Sequence, residues 1–170
     1  MRDSELVEKV QSSINSQCYT RGYVAPVEVL MDVGGLDKRK YEDWRTGKIP
    51  YLESACTCNL RKLSLIMKQI RKSAQESGYH PSYCFYGRWG MKKKKDRSRR
   101  NVQPLRFSKS GNPKIERAYA THYVDGKRIT ELKVEAEQKK AALMMEQDTA
   151  VDANSGEYEL DAGKERVDHG

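Results

Sequence analysis

Apolar residues recur at three- and four-residue steps through much of residues 1–124, which is typical of amphipathic helices. The clearest case is residues 60–76, where an apolar stripe is followed by Gly78 and Pro81. The stripe comprises Leu60, Leu63, Ile66, Met67, Ile70 and Ala74. The pattern predicts a mainly α-helical domain over residues 1–124.

Capping residues predict shorter helices around this one. Ser4 is a candidate N-cap for a first helix that reaches about residue 16. Pro26 suits the first turn of a second helix, and Asp37 is placed to cap a third. Asn112, which precedes a proline, predicts a further helix over residues 113–124.

Residues 26–47 resemble a helix-turn-helix DNA reader. The inner positions of such a motif would be occupied by Leu30, Leu36, Tyr41 and Trp44, and Gly35 would be its turn glycine. The phosphates or the major groove would be met by Lys38, Arg39, Lys40 and Arg45. Met31 stands where these motifs favour a small residue, and Glu42 and Asp43 would repel phosphates. Two ordinary packed helices are therefore the favoured interpretation, and a helix-turn-helix DNA reader is the alternative.

Aromatic and basic residues are concentrated in residues 79–100. Aromatic faces stack on bases and cations meet phosphates, so this combination favours a nucleic-acid partner. Tyr83, Tyr86 and Arg88 are the expected contacts, whereas Tyr79, Phe85 and Trp89 are expected to be mainly structural. The basic run that follows contains Lys92, Lys93, Lys94, Lys95, Arg97, Arg99 and Arg100. The alternative is a turn with buried tyrosines followed by a solvated loop.

The net charge of +8 is unevenly distributed, because cations dominate residues 59–128 and carboxylates dominate the chain after residue 131. The predicted helix 60–76 has a basic face formed by Arg61, Lys62, Lys68, Arg71 and Lys72. Ser108, Lys109 and Ser110 form a turn before Pro113 whose amides are candidates to hold a phosphate. This distribution favours a polyanionic partner.

We therefore expect a non-catalytic nucleic-acid-binding protein, with RNA or single strands slightly favoured over duplex DNA. The alternative is a regulatory adaptor that binds a protein through its C-terminal extension. A third hypothesis is a small nuclease in which His122 acts as general acid–base. The sequence contains no catalytic or nucleotide-binding motif, no cofactor is expected, and the oligomeric state is left open.

Composition predicts three regions beside the helical domain. Residues 91–103 are expected to form a flexible basic insert, and residues 125–147 a charged helical extension. Residues 148–170 are acidic and are expected to be disordered. No apolar run is long enough to span a membrane and no signal peptide is visible at residue 1, so a cytoplasmic protein without a membrane partner is expected.

Four cysteines raise the question of metal binding. Cys56, Cys58, His80 and Cys84 form C-x-C and H-x3-C pairs, but C-x-C is tighter than the spacing usual in structural zinc sites. Cys56 also continues the apolar stripe of residues 60–76, where cysteine behaves as a small hydrophobe. Packing is therefore favoured over zinc, and the question stays open.

Residues 41–53 and 105–124 resemble a small bacterial family of uncharacterised proteins. The similarity spans residues 27–124. It implies a unit that ends near Val124 and a bacterial or phage-type cytoplasmic setting. It carries no activity, and no catalytic or binding residues follow from it.

Overall fold

Helices α1 and α5 pack against each other through apolar stripes. In the computed structural model, which describes residues 1–90 and 104–154, α1 spans Asp3–Arg21 and α5 spans Leu60–Glu76. Leu6, Val10 and Ile14 are buried along α1, with Cys18 one turn further on. The bounds of α5 are those that the sequence predicts. α1 is longer than predicted. Its N-cap is Arg2 rather than Ser4, and the helix continues to Arg21, where Gly22 ends it.

The remaining helices are short, apart from the last. They are α2 (Pro26–Asp32), α3 (Lys38–Arg45), α4 (Leu52–Ala55), α6 (Pro113–Ala120) and α7 (Gly126–Asn154). The prediction of a mainly helical fold is confirmed. α7 ends seven residues inside the region expected to be disordered, and residues 91–103 and 155–170, which include the predicted basic insert, lie outside the described part.

A small antiparallel sheet joins distant parts of the chain. It contains β1 (Tyr23–Val24), β2 (His80–Tyr83) and β3 (Thr121–Val124), with β3 in the centre. The predicted helix over residues 113–124 is therefore wrong at its end, because its last four residues form β3. Pairing of Tyr23 with Val124, and of Tyr83 with Thr121, supplies β3 with partners on both edges.

Trp44 of α3 lies at the centre of the core and is fully buried. Its ring contacts those of Tyr86 and Phe107, with centroids 5.9 and 5.1 Å away. Its indole N–H donates to the carbonyl of Arg106 at 2.8 Å, and the Leu52 amide donates to the same carbonyl at 3.2 Å. One carbonyl therefore links α3, α4 and the segment before α6.

The chain divides into two compact units, Met1–Thr130 and Glu131–Gly170. The expected boundary at residue 124 lies six residues earlier. Within the first unit, Gly22 ends α1 with a φ of 80°, and a Cβ there would lie 2.7 Å from the Ile129 side chain. Within the second, Leu143, Met144 and Met145 of α7 are exposed. No helix in the described ranges combines the length and apolarity needed to cross a bilayer.

Candidate nucleic-acid interface

Helices α2 and α3 are joined by a short turn, and their buried positions are largely those that the sequence indicates for a helix-turn-helix. Leu30, Leu36 and Trp44 are buried, and Tyr41 is half-buried against them. The residue with left-handed backbone is Gly34, with a φ of 79°, rather than Gly35. Five residues, 33–37, separate the two helices. Within this turn the Gly35 amide donates to the carbonyl of Leu30 at 2.8 Å.

The start of α3 presents three consecutive cations to solvent. Lys38, Arg39 and Lys40 are all exposed, and the Asp37 carboxylate caps the helix by accepting from the Arg39 amide at 2.9 Å. Glu42 is exposed on the same helix. The first turn of α3 is therefore a positively charged surface on a helix whose other face is anchored in the core.

Arg45 does not belong to this surface, although the sequence placed it there. Its guanidinium lies among the rings of Tyr41, Tyr86 and Trp89, with 4.6 Å to the Trp89 centroid. It donates to the Tyr41 hydroxyl at 3.2 Å, and its Nε is buried without a hydrogen-bond partner. The role of Arg45 is to fill an aromatic cage at the end of α3.

Tyr86 is a core residue, so the prediction that it stacks on bases is wrong. Its ring packs on Trp44 and Phe107, and its hydroxyl is 2.8 Å from Nε2 of His122. Burial raises the pKa of Tyr86 above its ordinary value. A ring held in this way cannot rotate out to meet a base.

Phe85 and Trp89 are exposed by 55% and 44%, against the expectation that both are structural. Tyr83 is exposed by 54%, as a contact residue must be. Beyond β2 the extended chain turns Tyr86 inward and Phe85 outward, because successive side chains point to opposite sides. The aromatic cluster in the sequence does not reveal which alternate set faces the core.

Arg88 and Trp89 cover the C-terminal end of α3. The Arg88 Nε donates to the Thr46 carbonyl at 2.8 Å, and the Trp89 amide donates to the Arg45 carbonyl at 2.6 Å. Arg88 remains exposed. On the far side of residues 91–103, the Leu105 amide donates to the Tyr86 carbonyl at 2.8 Å. The predicted contacts Lys92, Lys93, Lys94, Lys95, Arg97, Arg99 and Arg100 lie outside the described residues.

The basic face of α5 is divided between two surroundings. Arg61 forms an ion pair with Asp3 of α1, Lys62 lies 3.5 Å from the Met1 carbonyl, and Lys72 lies 4.0 Å from Glu76. Lys68 and Arg71 instead line a groove between α5 and α6. Lys109 lines the same groove, so the structure brings together three of the predicted contacts.

This α5–α6 groove has a volume of about 780 Å³ and an apolar floor. Sequence reasoning missed it, because the apolar stripe of residues 60–76 shows which residues share a face but not which of them other elements cover. Leu60 is 62% exposed, and Ile115 of α6 is 40% exposed. The apolar lining consists of Leu60, Leu63, Met67, Ile115 and Ala118.

The turn at residues 108–111 uses its amides internally, contrary to the expectation that they hold a phosphate. Glu116 accepts from the amides of Phe107 and Ser108 at 2.8 and 2.7 Å, and from the Ser108 hydroxyl at 2.5 Å. Glu53 accepts from the Lys109 amide at 3.0 Å. Two carboxylates of the protein therefore occupy the place predicted for an anion.

The described cysteines and histidines do not gather into a metal-binding group: no cluster of three His, Cys, Asp or Glu occurs in residues 1–90 and 104–154. Cys56 lies directly after α4 and forms an isolated β-bridge with Leu36. It therefore does not continue the apolar stripe of α5, although the sequence indicated that it would. Burial, with a smaller effect of Cys58, raises the pKa of Cys56 to about 12. His122 stacks on Tyr23, with ring centroids 5.6 Å apart, and burial lowers its pKa.

Comparisons with protein-family models, with curated proteins and with solved structures returned no match to this chain.

Proposed function

We propose that this protein binds nucleic acid without catalysing a reaction on it, and that α3 is the element that meets a DNA duplex. The observation that carries the proposal is the exposed triplet Lys38, Arg39 and Lys40 at the start of a core-anchored helix. In helix-turn-helix proteins the N-terminal residues of the second helix contact the major groove and the adjacent phosphates.

The burial of Tyr86 weakens the hypothesis that single strands are preferred over duplex DNA. Single-strand binding depends on exposed rings, and one of the two expected stacking tyrosines is in the core. Tyr83 and Phe85 remain exposed and supply the rings that the single-strand alternative requires. The duplex hypothesis depends on an exposed basic helix, and we favour duplex DNA because α3 supplies those side chains.

Arg88 is a further exposed cation, hydrogen-bonded to Thr46 at the C-terminal end of α3. Phosphate binding by lysine and arginine releases counterions, which makes affinity strongly dependent on salt.

The test is fluorescence anisotropy of labelled duplex DNA and labelled single-stranded RNA, titrated with the full chain at several salt concentrations. Replacing Lys38, Arg39 and Lys40 together by alanine is expected to reduce the slope of log K against log salt by about 2–3, roughly 0.9 for each lost phosphate contact. The matched control replaces three exposed lysines of α7, Lys133, Lys139 and Lys140, and removes the same charge.

A slope that is unchanged by the α3 substitutions, or equally reduced by the control, would show that α3 does not meet the phosphates. Tyr83→Ala separates the two nucleic acids. If RNA binds more tightly than the duplex and this substitution weakens RNA binding by about 1–3 kcal/mol, a stacking platform is the correct assignment and the duplex proposal is wrong.

A further inference from the structure

The α5–α6 groove is not used by the proposed DNA surface, and its chemistry points to a different kind of partner. We propose that it is a docking site for an acidic amphipathic helix of a partner protein. The proposal does not depend on nucleic-acid binding.

The apolar floor of the groove is long enough for one face of a short helix. Leu60, Met67 and Arg71 line it along α5; the eleven steps from Leu60 to Arg71 correspond to about 16 Å, or three helical turns. Leu60 and Ile115 expose 62% and 40% of their surface on the two sides. Amphipathic helices bind such grooves through apolar residues spaced i, i+3, i+4 and i+7.

The rim of the groove selects for negative charge. It carries four cations, Lys68, Arg71, Lys109 and Lys114, all of them exposed. None of the four forms an ion pair within the described part of the chain. Four cations around one apolar floor favour a partner with carboxylates on both edges of an apolar stripe.

The lining contains one acidic group against these four cations. The Glu53 carboxylate accepts from the Lys109 amide at 3.0 Å and from the Tyr119 hydroxyl at 3.2 Å. It therefore ties α4 to α6 and to the segment before α6, on one side of the groove. Because Glu53 and Glu116 fix the groove in advance, binding requires little ordering of the protein.

A peptide helix fits this lining better than a nucleic-acid strand does. The aromatic side chain of the lining, Tyr119, is only 3% exposed and stacks on Phe107 at 5.7 Å, so it cannot stack on a base. A phosphate backbone would use the cations but leave Leu60 and Ile115 uncovered. The apolar floor would then make no contribution to binding.

The probe is a fluorescently labelled synthetic helix with leucines at i, i+3, i+4 and i+7 and glutamates on both flanks. A peptide of the same composition in shuffled order is the second probe. We expect the full-length protein to bind the amphipathic peptide about tenfold or more tightly than the shuffled one. Equal binding of the two would show that charge alone is recognised and would overturn the proposal.

Two variants test the two parts of the groove. Lys68→Glu with Arg71→Glu is expected to weaken peptide binding about tenfold or more, whereas Lys133→Glu with Lys139→Glu in α7 leaves it unchanged. Leu60→Ser is expected to weaken binding severalfold. Its control is Leu143→Ser, because Leu143 is 60% exposed against 62% for Leu60. Circular dichroism establishes that each variant is folded.

If neither groove variant changes peptide affinity, the peptide binds elsewhere and the proposal fails. The proposal also fails if the protein binds vesicles that contain phosphatidylglycerol, and loses this binding when Leu60 or Lys68 is replaced, but does not bind the peptide. The two proposals fail separately: the Lys38, Arg39 and Lys40 variant should retain peptide binding, and the Lys68 and Arg71 variant should retain duplex binding.

Discussion

Replacing Glu116 by glutamine removes the charge that holds the segment before α6. The carboxylate accepts three hydrogen bonds, from two backbone amides and the Ser108 hydroxyl, at 2.5–2.8 Å. Hydrogen bonds to a charged group contribute about 1.5–3 kcal/mol each and those between neutral groups about 0.5–1.5. In addition, the side-chain NH2 group of glutamine would face one of the two backbone N–H groups, so that two donors would oppose each other. We therefore expect Glu116→Gln to lower the free energy of unfolding by about 2–4 kcal/mol.

The assay for Glu116→Gln is urea denaturation followed by circular dichroism. With a typical dependence on urea of about 1–3 kcal/mol per molar, the midpoint is expected to fall by about 1–2 M. Glu8→Gln is the matched control, because Glu8 is exposed on α1. If the two variants have the same midpoint, Glu116 does not stabilise the turn, and the amides that it occupies would be open to an anion.

Two further predictions concern single positions. Gly22→Ala is expected to destabilise the protein by about 2–4 kcal/mol, and Gly34→Ala by only about 1–2 kcal/mol. Both glycines have a positive φ, but only at Gly22 would a Cβ meet a close neighbour. Equal decreases in the melting temperature of the two variants would contradict this. Burial lowers the pKa of His122 from 6.5, although Glu28 opposes the effect. The unfolded chain then binds more protons, so stability should be full above pH 6.5 and fall as the pH drops through the folded pKa. His122→Gln should flatten this dependence of stability on pH.

The sequence predicts those parts of the fold that depend on local pattern. α5 is found at its predicted bounds, since its apolar period and the Gly78 that follows it are read within one segment. Residues 121–124 were assigned to a helix, because the residues that make them a strand lie near residues 23 and 80. Pairing over such separations leaves no signal in the local pattern.

The candidate sites divide in the same way. The exposed cations of α3 follow from helical spacing behind the Asp37 cap, and the sequence identifies them. Tyr86 and Phe85 were assigned to the wrong sides, because their facing depends on how the extended chain beyond β2 joins the core. The apolar stripe of α5 shows which residues share a face, but not that Leu60, at its end, remains uncovered.

The order of strands in the sheet has a consequence during synthesis on the ribosome. β1 is made early but pairs only with β3, whose residues follow about 100 positions later. At about 5–20 residues per second, β1 waits roughly 5–20 s for its partner. The Trp44 indole N–H likewise has no acceptor until Arg106, 62 residues further along the chain, has been synthesised. The nascent chain therefore carries an unfinished core through most of its translation, and a ribosome that stalls before residue 124 holds a chain that cannot close its sheet.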